Sequence, residues 1–370
     1  MLRAGAVNPC GAALPDCGAP RGPSPGRRIG PESPLHSGPW LGLGAALWVA
    51  VFGFGAQPAA AQGQGWQGAA CVALNRAVLT DAAAGKLPEA EAALSGVLAS
   101  NATAEDHLCA GVVLSNVAAL LSISGRLPEA EMFAERSIHV LEQVYAADDP
   151  AFLRPLHVLA SARIERGEIG KAREAFKRMQ ALRIERPEDR ALFHGVSAAL
   201  LNLAGRRQEA ESEYALALDA WEKAGRGGTA DYGSALNGLA AVFIAEGRLD
   251  DARRTLDRAL DVFSSAANAV PMDRFKLLAT RAVVHARLRE WRDAEQDLRD
   301  ATAMAEGITR LDPVVLGPVL TNYAYVLRKN HHREEARVME ARAAALRGQS
   351  SRDTVVDTTE LRARSKRSGK

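Results

Sequence analysis

The side chains that could bind a metal or act in catalysis are few and scattered along the sequence. The pair His331-His332 precedes Glu334 and Glu335, residue types that a metal site uses. The same segment is polar throughout, as solvated turns are, and we favour that interpretation. The sequence contains no HExxH helix motif, no P-loop and no CxxC pair. It predicts no catalytic residue, no metal and no cofactor, and other histidines stand singly, among them His107, His139, His157, His194 and His285.

The elements that would position any site come from a short segment that recurs seven times. Residues 125–131 read GRLPEAE, with related copies that begin at Gly85, Gly167, Gly205 and Gly247 and degenerate copies at Arg289 and His331. Measured between the alanines of successive copies, the spacings are 40, 42, 38, 42, 42 and 42 residues. Self-similarity at such a period predicts stacked pairs of helices.

Each copy has the composition of a turn between two helices. The leading glycine fits a left-handed helix C-terminus, and Pro88 and Pro128 fit the first turn of the next helix. Twelve residues before each alanine, six of the seven positions are again alanine. Small side chains in the middle of both helices of a pair allow close approach. The pattern predicts fourteen helices, the last from 332 to 347.

These seven copies closely resemble the tetratricopeptide repeat. Their 42-residue spacing resembles the long variety found in kinesin light chains and many bacterial proteins. The resemblance covers about residues 70–347, within a repeat domain that we place at 62–347. It implies an all-α fold, an α-solenoid that forms a right-handed superhelix of about seven helix pairs, with a concave groove used for binding. Two residues depart from the pattern, because Arg281 and Glu340 occupy positions that are usually apolar.

In this repeat family the first helix of each pair lines the concave face. The resemblance therefore implies a lining that is rich in amides and cations and nearly free of acids: Asn116, Arg154, His157, Asn202, Asn237, Lys276, Arg287, Asn322 and Arg328. Amide side chains can bond a peptide backbone as donor and acceptor, and cations favour carboxylates. We predict a groove for an extended peptide, acidic or C-terminal. The alternative is an ordinary solvated helix face.

Two cysteines lie at matching positions in neighbouring repeats. Cys71 and Cys109 precede Ala90 and Ala130 by 19 and 21 residues, near the beginning of two first helices. Neighbouring first helices pack side by side, so the positions allow a disulfide between the first two repeats. The alternative is a pair of buried thiols, which is common for cysteine. A separation of the Cα atoms well beyond about 7 Å would exclude the disulfide.

The first 61 residues have the composition of an export leader. An uncharged apolar run at residues 40–56 follows Arg27 and Arg28 and precedes an A-x-A site, which predicts signal-peptide cleavage after Ala61 and a periplasmic or secreted protein. An uncleaved membrane anchor and a twin-arginine signal are the alternatives. The rest of the chain has 42 basic and 42 acidic residues, a balance that argues against nucleic-acid binding.

The last residues, 348–370, form a basic tail that we predict to be disordered. Its final nine residues carry five basic and no acidic groups, so it is, with an uncleaved leader, the chain's possible contact with a membrane. Taken together, the sequence favours an exported, non-enzymatic scaffold that binds a protein or peptide. The alternatives are a regulatory subunit or helical-solenoid enzyme of the cell envelope, which needs an acid in a cleft, and a self-assembling structural protein.

Overall fold

Fourteen α-helices follow one another in the computed structural model, which describes residues 68–98, 102–266, 270–308 and 311–353. A short 3₁₀ helix, Pro150–Phe152, precedes the fifth of them. The helices are α1 (Ala69–Ala83), α2 (Leu87–Val97), α3 (Ala104–Ile123), α4 (Leu127–Leu141), α5 (Leu153–Glu165), α6 (Ile169–Gln180), α7 (Pro187–Leu203), α8 (Arg207–Lys223), α9 (Ala230–Glu246), α10 (Leu249–Ser265), α11 (Pro271–Leu288), α12 (Trp291–Glu306), α13 (Pro313–Lys329) and α14 (Arg333–Asp353).

Each odd-numbered helix packs against the even-numbered helix that follows it, which gives seven repeats numbered 1 to 7. Neighbouring repeats are joined by contacts between successive odd-numbered helices and between each even-numbered helix and the next odd one. The predicted all-α solenoid of seven helix pairs is confirmed. The last helix is longer than predicted, because α14 continues to Asp353 instead of ending at residue 347. The export leader and residues 354–370 of the basic tail lie outside the described residues.

The turns within the repeats use a left-handed residue, as the glycines predicted. Gly85, Gly125, Gly167, Gly205 and Gly247 have φ angles between 71° and 80°. In the two degenerate copies the same conformation falls on Arg289 and His331, with φ angles of 64° and 67°. Side chains with a Cβ adopt this region at a cost of about 1 kcal/mol. The turn geometry therefore persists where the glycine has been lost.

The small residues predicted to allow close approach of the helices lie in the core. The alanine of every copy is fully buried, and so are Ala118, Ala160, Ala198, Ala240 and Ala282 twelve residues before five of them. Arg281 stands in this apolar setting and donates two hydrogen bonds, of 2.9 and 2.7 Å, to Asp297 on α12. The ion pair lies between the two helices of repeat 6. It explains how the repeat tolerates a charge at a core position.

The solenoid curves enough for distant repeats to touch. The backbone N–H of Asp312, before α13, donates to the carbonyl of Gly125, after α3, over 2.9 Å. A Cβ at Gly125 would overlap the side chains of Leu311 and Met272. Repeats 2 and 3 thus contact repeats 6 and 7. We call this the closure contact, formed by Gly125, Glu165 and Arg166 on one side and Met272, Lys276, Leu311 and Asp312 on the other.

Among the described helices, α3 has the length and apolar composition to cross a membrane. Most of its residues are buried against neighbouring helices of the solenoid, which is how a core helix also behaves. The side chains that cover it include Leu141 of α4, which lies so close to Gly111 that a Cβ there would be 2.5 Å from Cδ2 of the leucine. The apolar character of α3 is therefore used in packing within the solenoid.

Candidate peptide-binding groove

The odd-numbered helices place most of the candidate lining residues in the interior of the curve. Asn116, His157, Asn237, Lys276 and Asn322 are all buried. The sequence predicted that these side chains line a concave groove, with an ordinary solvated helix face as the alternative, and their burial differs from that alternative. The closure contact covers Lys276, which pairs there with Glu165 of repeat 3.

Arg328 and Asn202 are more exposed than these five residues. Arg328 is exposed and donates to both carboxylate oxygens of Glu340 on α14, over 2.7 and 2.8 Å. Glu340, which stands at a usually apolar position, is therefore paired with Arg328, and Arg328 is withdrawn from the groove. Asn202, on α7, is half-buried.

Two candidates form hydrogen bonds between neighbouring odd-numbered helices. Asn116 on α3 donates from Nδ2 to Oδ1 of Asn75 on α1 over 3.0 Å. Arg287 on α11 donates to the carbonyl of Ile244, in the last turn of α9, over 2.6 Å. Both side chains thus contribute to the stacking of repeats. Such a role leaves less of their hydrogen-bonding capacity for a ligand.

Other interior polar atoms have no hydrogen-bond partner in the described part of the chain. They are both amide atoms of Asn322, Oδ1 of Asn237, Oγ of Ser122, Oε2 of Glu165 and the Nε atoms of Arg154 and Arg287. Burial without a partner costs about 1–3 kcal/mol for each such group. Native proteins keep few of them, so a concentration on odd-numbered helices calls for a reason. Donors and acceptors of this kind are suited to a peptide backbone.

Arg154 and His157 lie one turn apart on α5. Burial, together with a smaller effect of the charge of Arg154, lowers the pKa of His157 to about 3, so this imidazole is neutral at pH 7. Burial also lowers the pKa of Arg154, against the attraction of Asp231 and Asp189. Arg154 keeps partial exposure and forms no ion pair within 4 Å among the described residues. It is therefore a cation available to a ligand.

The interior also contains acids, which sequence reasoning largely missed. Glu165 accepts from Nζ of Lys276 over 2.7 Å, and both side chains are buried. Burial raises the pKa of Glu165 in spite of Lys276. Asp189, Asp231 and Asp273 are buried in the first turns of α7, α9 and α11. Their signal in the sequence was an acid within the first turn of a first helix, which is the usual place for a carboxylate at a helix N-terminus.

Asp273 gives the repeat domain a dependence on pH. Burial, assisted by Glu165, raises its pKa to about 7, while the bonds from the Val270 N–H and the charge of Lys276 act in the opposite direction. An acid whose pKa is raised on folding stabilises the fold at low pH, and this contribution is lost as pH rises through the folded value. Between pH 5 and pH 8 the loss is about 2–3 kcal/mol.

The expected result is a higher midpoint of urea denaturation at pH 5 than at pH 8 for the wild type. In Asp273→Asn the difference between the two pH values should shrink by about 2–3 kcal/mol in the free energy of unfolding. The transition is followed by the circular dichroism of the helices at about 222 nm. An unchanged difference in Asp273→Asn would show that Asp273 titrates normally.

One group of side chains in repeat 6 comes close enough to share a metal ion: His285, Glu290 and Asp293. Glu290 is already engaged, because it lies 2.7 Å from Nδ1 of His285 and 3.3 Å from a guanidinium nitrogen of Arg253. The group lies at the turn between α11 and α12, away from the interior polar atoms. We interpret it as an ion-pair cluster of the turn.

Cys71 on α1 and Cys109 on α3 form a disulfide. Their Cα atoms are 5.8 Å apart, within the range that a disulfide spans. The bond joins the first helices of repeats 1 and 2 across a separation of 38 residues. It ties the terminal repeat, which has a neighbour on only one side, to the rest of the solenoid.

Comparisons with known proteins agree with this architecture. Two family models, both described as tetratricopeptide repeat, match residues 112–151 and 189–265. No curated protein matches the chain significantly. A Rap protein complexed with competence and sporulation factor is similar in structure, with a TM-score of 0.51, 14% identity, and coverage of 78% of this chain and 74% of that one.

Two further solved structures are similar over much of their length. A tetratricopeptide repeat protein from Parabacteroides merdae has a TM-score of 0.44 and 17% identity, covering 77% of this chain and 94% of that one. A putative kinesin light chain from Podosopora anserina has a TM-score of 0.39 and 20% identity, covering 55% of this chain and 98% of that one. At these identities the structural likeness concerns the fold alone. Residues 112–151 and 189–265 are tetratricopeptide repeats by sequence, and they lie within a solenoid of seven helix pairs in the described part of the chain.

Proposed function

We propose that the chain is a non-enzymatic scaffold that binds an extended peptide segment of another protein between its odd-numbered helices. The observation that supports this most is the set of buried amide atoms on Asn237 and Asn322 that lack partners among the described residues. A peptide backbone offers an N–H and a C=O at each residue, which are the complements of those atoms. The binding of such a strand would satisfy groups that the free chain leaves unbonded.

Charge specificity is proposed to reside mainly at Arg154. Among the predicted cations, Lys276 already holds Glu165, Arg287 already holds the carbonyl of Ile244 and Arg328 already holds Glu340. Arg154 is the exception within the described residues. A guanidinium binds a carboxylate through two parallel hydrogen bonds. We therefore propose that the peptide places one carboxylate, from an acidic side chain or its own C-terminus, at Arg154.

The test begins with peptides selected from a display library on the full-length chain. Isothermal titration then measures their affinity for the wild type and for Arg154→Gln, and an amidated version of each peptide separates a C-terminal carboxylate from a side-chain one. We expect Arg154→Gln to weaken binding about tenfold to a hundredfold, since a hydrogen bond to a charged group contributes about 1.5–3 kcal/mol.

The matched control is Arg178→Gln. Arg178 is exposed on α6 and pairs with Glu142 over 2.9 Å, so its loss should leave the affinity unchanged. Equal affinities of the wild type and Arg154→Gln would contradict the charge specificity. Failure of the chain to select any peptide would contradict the binding function itself.

We also propose that the chain is exported and works outside the cytoplasm. The leader at residues 1–61 motivates this, and the disulfide between Cys71 and Cys109 supports it because such bonds persist in oxidising compartments. N-terminal sequencing of the protein from its own cells should give Gln62 as the first residue. An intact leader in the membrane fraction would instead favour the anchored alternative.

A second candidate function is catalysis, because the interior holds a buried, paired acid. The pKa of Glu165 is raised and Asp273 has a pKa of about 7, as general acids often have. Both carboxyls are covered in this structure, whereas a catalytic acid must reach its substrate. Hydrolysis of cell-wall polymer by the wild type, lost in Glu165→Gln, would establish the enzyme and displace the binding proposal.

A further inference from the structure

The closure contact joins parts of the chain that no local structure holds together. Glu165 and Lys276 are separated by 111 residues, and Arg166 and Asp312 by 146 residues. Each repeat of a solenoid contacts mainly its neighbours, so the distance between repeats 3 and 6 depends on small rotations summed over the repeats between them. A slight change at each repeat can therefore separate the two sides without unfolding any helix pair.

The chemistry of the closure contact also suits a contact that opens and closes. Its centre is the ion pair between Glu165 and Lys276, whose side chains are 2% and 8% exposed. Asp312 adds a 3.5 Å contact with Arg166 and the backbone bond to Gly125. Charged and polar partners are well hydrated when apart, so opening exposes hydrocarbon to water mainly at Met272 and Leu311. The charged groups of the closure contact are thus satisfied in two states, by each other when it is closed and by water when it is open.

The closed arrangement carries a cost of its own. Among the described residues, one carboxylate oxygen of Glu165, the hydroxyl oxygen of Ser122 on α3 and both amide atoms of Asn322 on α13 are buried without a partner. These three residues belong to repeats 2, 3 and 7, the same part of the molecule that the closure contact brings together. Separation of the two sides would admit water or a ligand to these atoms. Opening is therefore favoured by the groups that closing leaves unbonded.

We infer that the closure contact is a latch that shuts the peptide groove in the ligand-free chain and must open before a peptide can enter. The inference rests on the proposed peptide-binding function, because it concerns the regulation of the same groove. The latch further implies that the closure contact is formed in most ligand-free molecules. The observed affinity for a peptide is then reduced in proportion to the fraction of open molecules.

The test follows a reporter thiol at the closure contact of the full-length chain. Met272 is buried beside Gly125 on the opposite side of the closure contact, so Met272→Cys is accessible to a maleimide only after opening. Mass spectrometry of the digested protein reads the labelling of this thiol separately from other cysteines. Lys276→Met leaves Glu165 buried opposite a neutral side chain, which disfavours the closed form. We expect the labelling rate of Met272→Cys to rise at least tenfold in Lys276→Met.

Two controls separate opening from other effects. The double variant Glu165→Leu/Lys276→Met restores a neutral, packed pair, so its labelling rate should return to within about threefold of the starting value. A second reporter, Val242→Cys, lies in the core between repeats 4 and 5 with Ala198, Ala210 and Tyr214. It reports unfolding, and its rate should not change. An unchanged rate at Met272→Cys in Lys276→Met, or an equal rise at both reporters, would overturn the latch.

These labelling measurements use no peptide, so the latch and the binding function fail separately. If peptides bind and labelling does not respond to Lys276→Met, the groove stands and the latch is wrong. If Lys276→Met raises the labelling rate and no peptide binds, the closure contact opens but does not control entry to a peptide site. Both the binding function and the latch as proposed are then wrong. Lys276→Met should also bind a selected peptide more tightly than the wild type does, because a larger fraction of its molecules is open.

Discussion

Asn322→Leu is expected to stabilise the repeat domain while it weakens peptide binding. Asn322 is fully buried on α13, and neither amide atom has a partner within the described residues. Leucine has a similar volume and no polar atom, so the substitution removes a penalty of about 1–3 kcal/mol. The same substitution removes the donor and acceptor proposed to bond the peptide backbone. Urea denaturation should show the gain in free energy, and isothermal titration should show affinity reduced at least tenfold.

The matched control is Asn116→Leu. Asn116 and Asn322 both lie fourteen residues before the alanine of their repeat, but Asn116 donates to Asn75 over 3.0 Å. Its replacement leaves Oδ1 of Asn75 without that donor, so stability should fall by about 1 kcal/mol. Opposite signs for the two substitutions are the expected result. A loss of stability in Asn322→Leu as large as in Asn116→Leu would mean that Asn322 is bonded within the protein.

Removal of the disulfide is expected to unfold the first repeat more than any other. A bond that closes a loop of 38 residues restricts the unfolded chain by about 4 kcal/mol in the chain-entropy description. The effect should concentrate on α1 and α2, because a terminal repeat has one stabilising neighbour and opens locally. In Cys71→Ala/Cys109→Ala, amide hydrogen exchange in residues 69–97 should accelerate about a hundredfold or more.

The exchange of repeats 3 to 6 serves as the internal control for this variant and should stay near the wild-type rate. Cys10→Ala/Cys17→Ala, which changes the leader alone, should leave exchange in α1 and α2 unchanged. A uniform acceleration through all repeats would show that the disulfide stabilises the solenoid as one cooperative unit. No acceleration in α1 and α2 would show that helix packing alone holds the first repeat.

The helix pairs could be predicted because their causes are local. A left-handed residue in the turn, which is glycine in five of the seven copies, and small residues at fixed distances indicate the pairs from about forty residues of sequence. Pro88 and Pro128 add a first-turn proline in two of the copies. The same logic placed Cys71 beside Cys109. It failed at the last helix, where Gly348 predicted an end at residue 347 but α14 continues through this glycine to Asp353.

The interior could not be predicted in the same way. Whether Asn116 and Asn322 have partners depends on the residue that the neighbouring first helix offers, Asn75 in one case and no polar partner among the described residues in the other. The ion pair of Glu165 with Lys276 depends on curvature accumulated over three repeats, which no single repeat determines. Glu165, an acid on a first helix whose lining the sequence predicted to be nearly free of acids, is thus at the centre of the closure contact.

The measurement that tests the groove most directly is photocross-linking from two positions on adjacent helices. A photoreactive residue at Asn202, half-buried on the odd-numbered helix α7, reports the groove, and one at Leu216, 47% exposed on α8, reports the outer surface. We expect a selected peptide, and the cellular partner that carries its sequence, to cross-link through position 202 and not through position 216. Excess unlabelled peptide should abolish that product. Cross-linking through position 216 with none at position 202 would contradict the groove and place binding on the even-numbered helices.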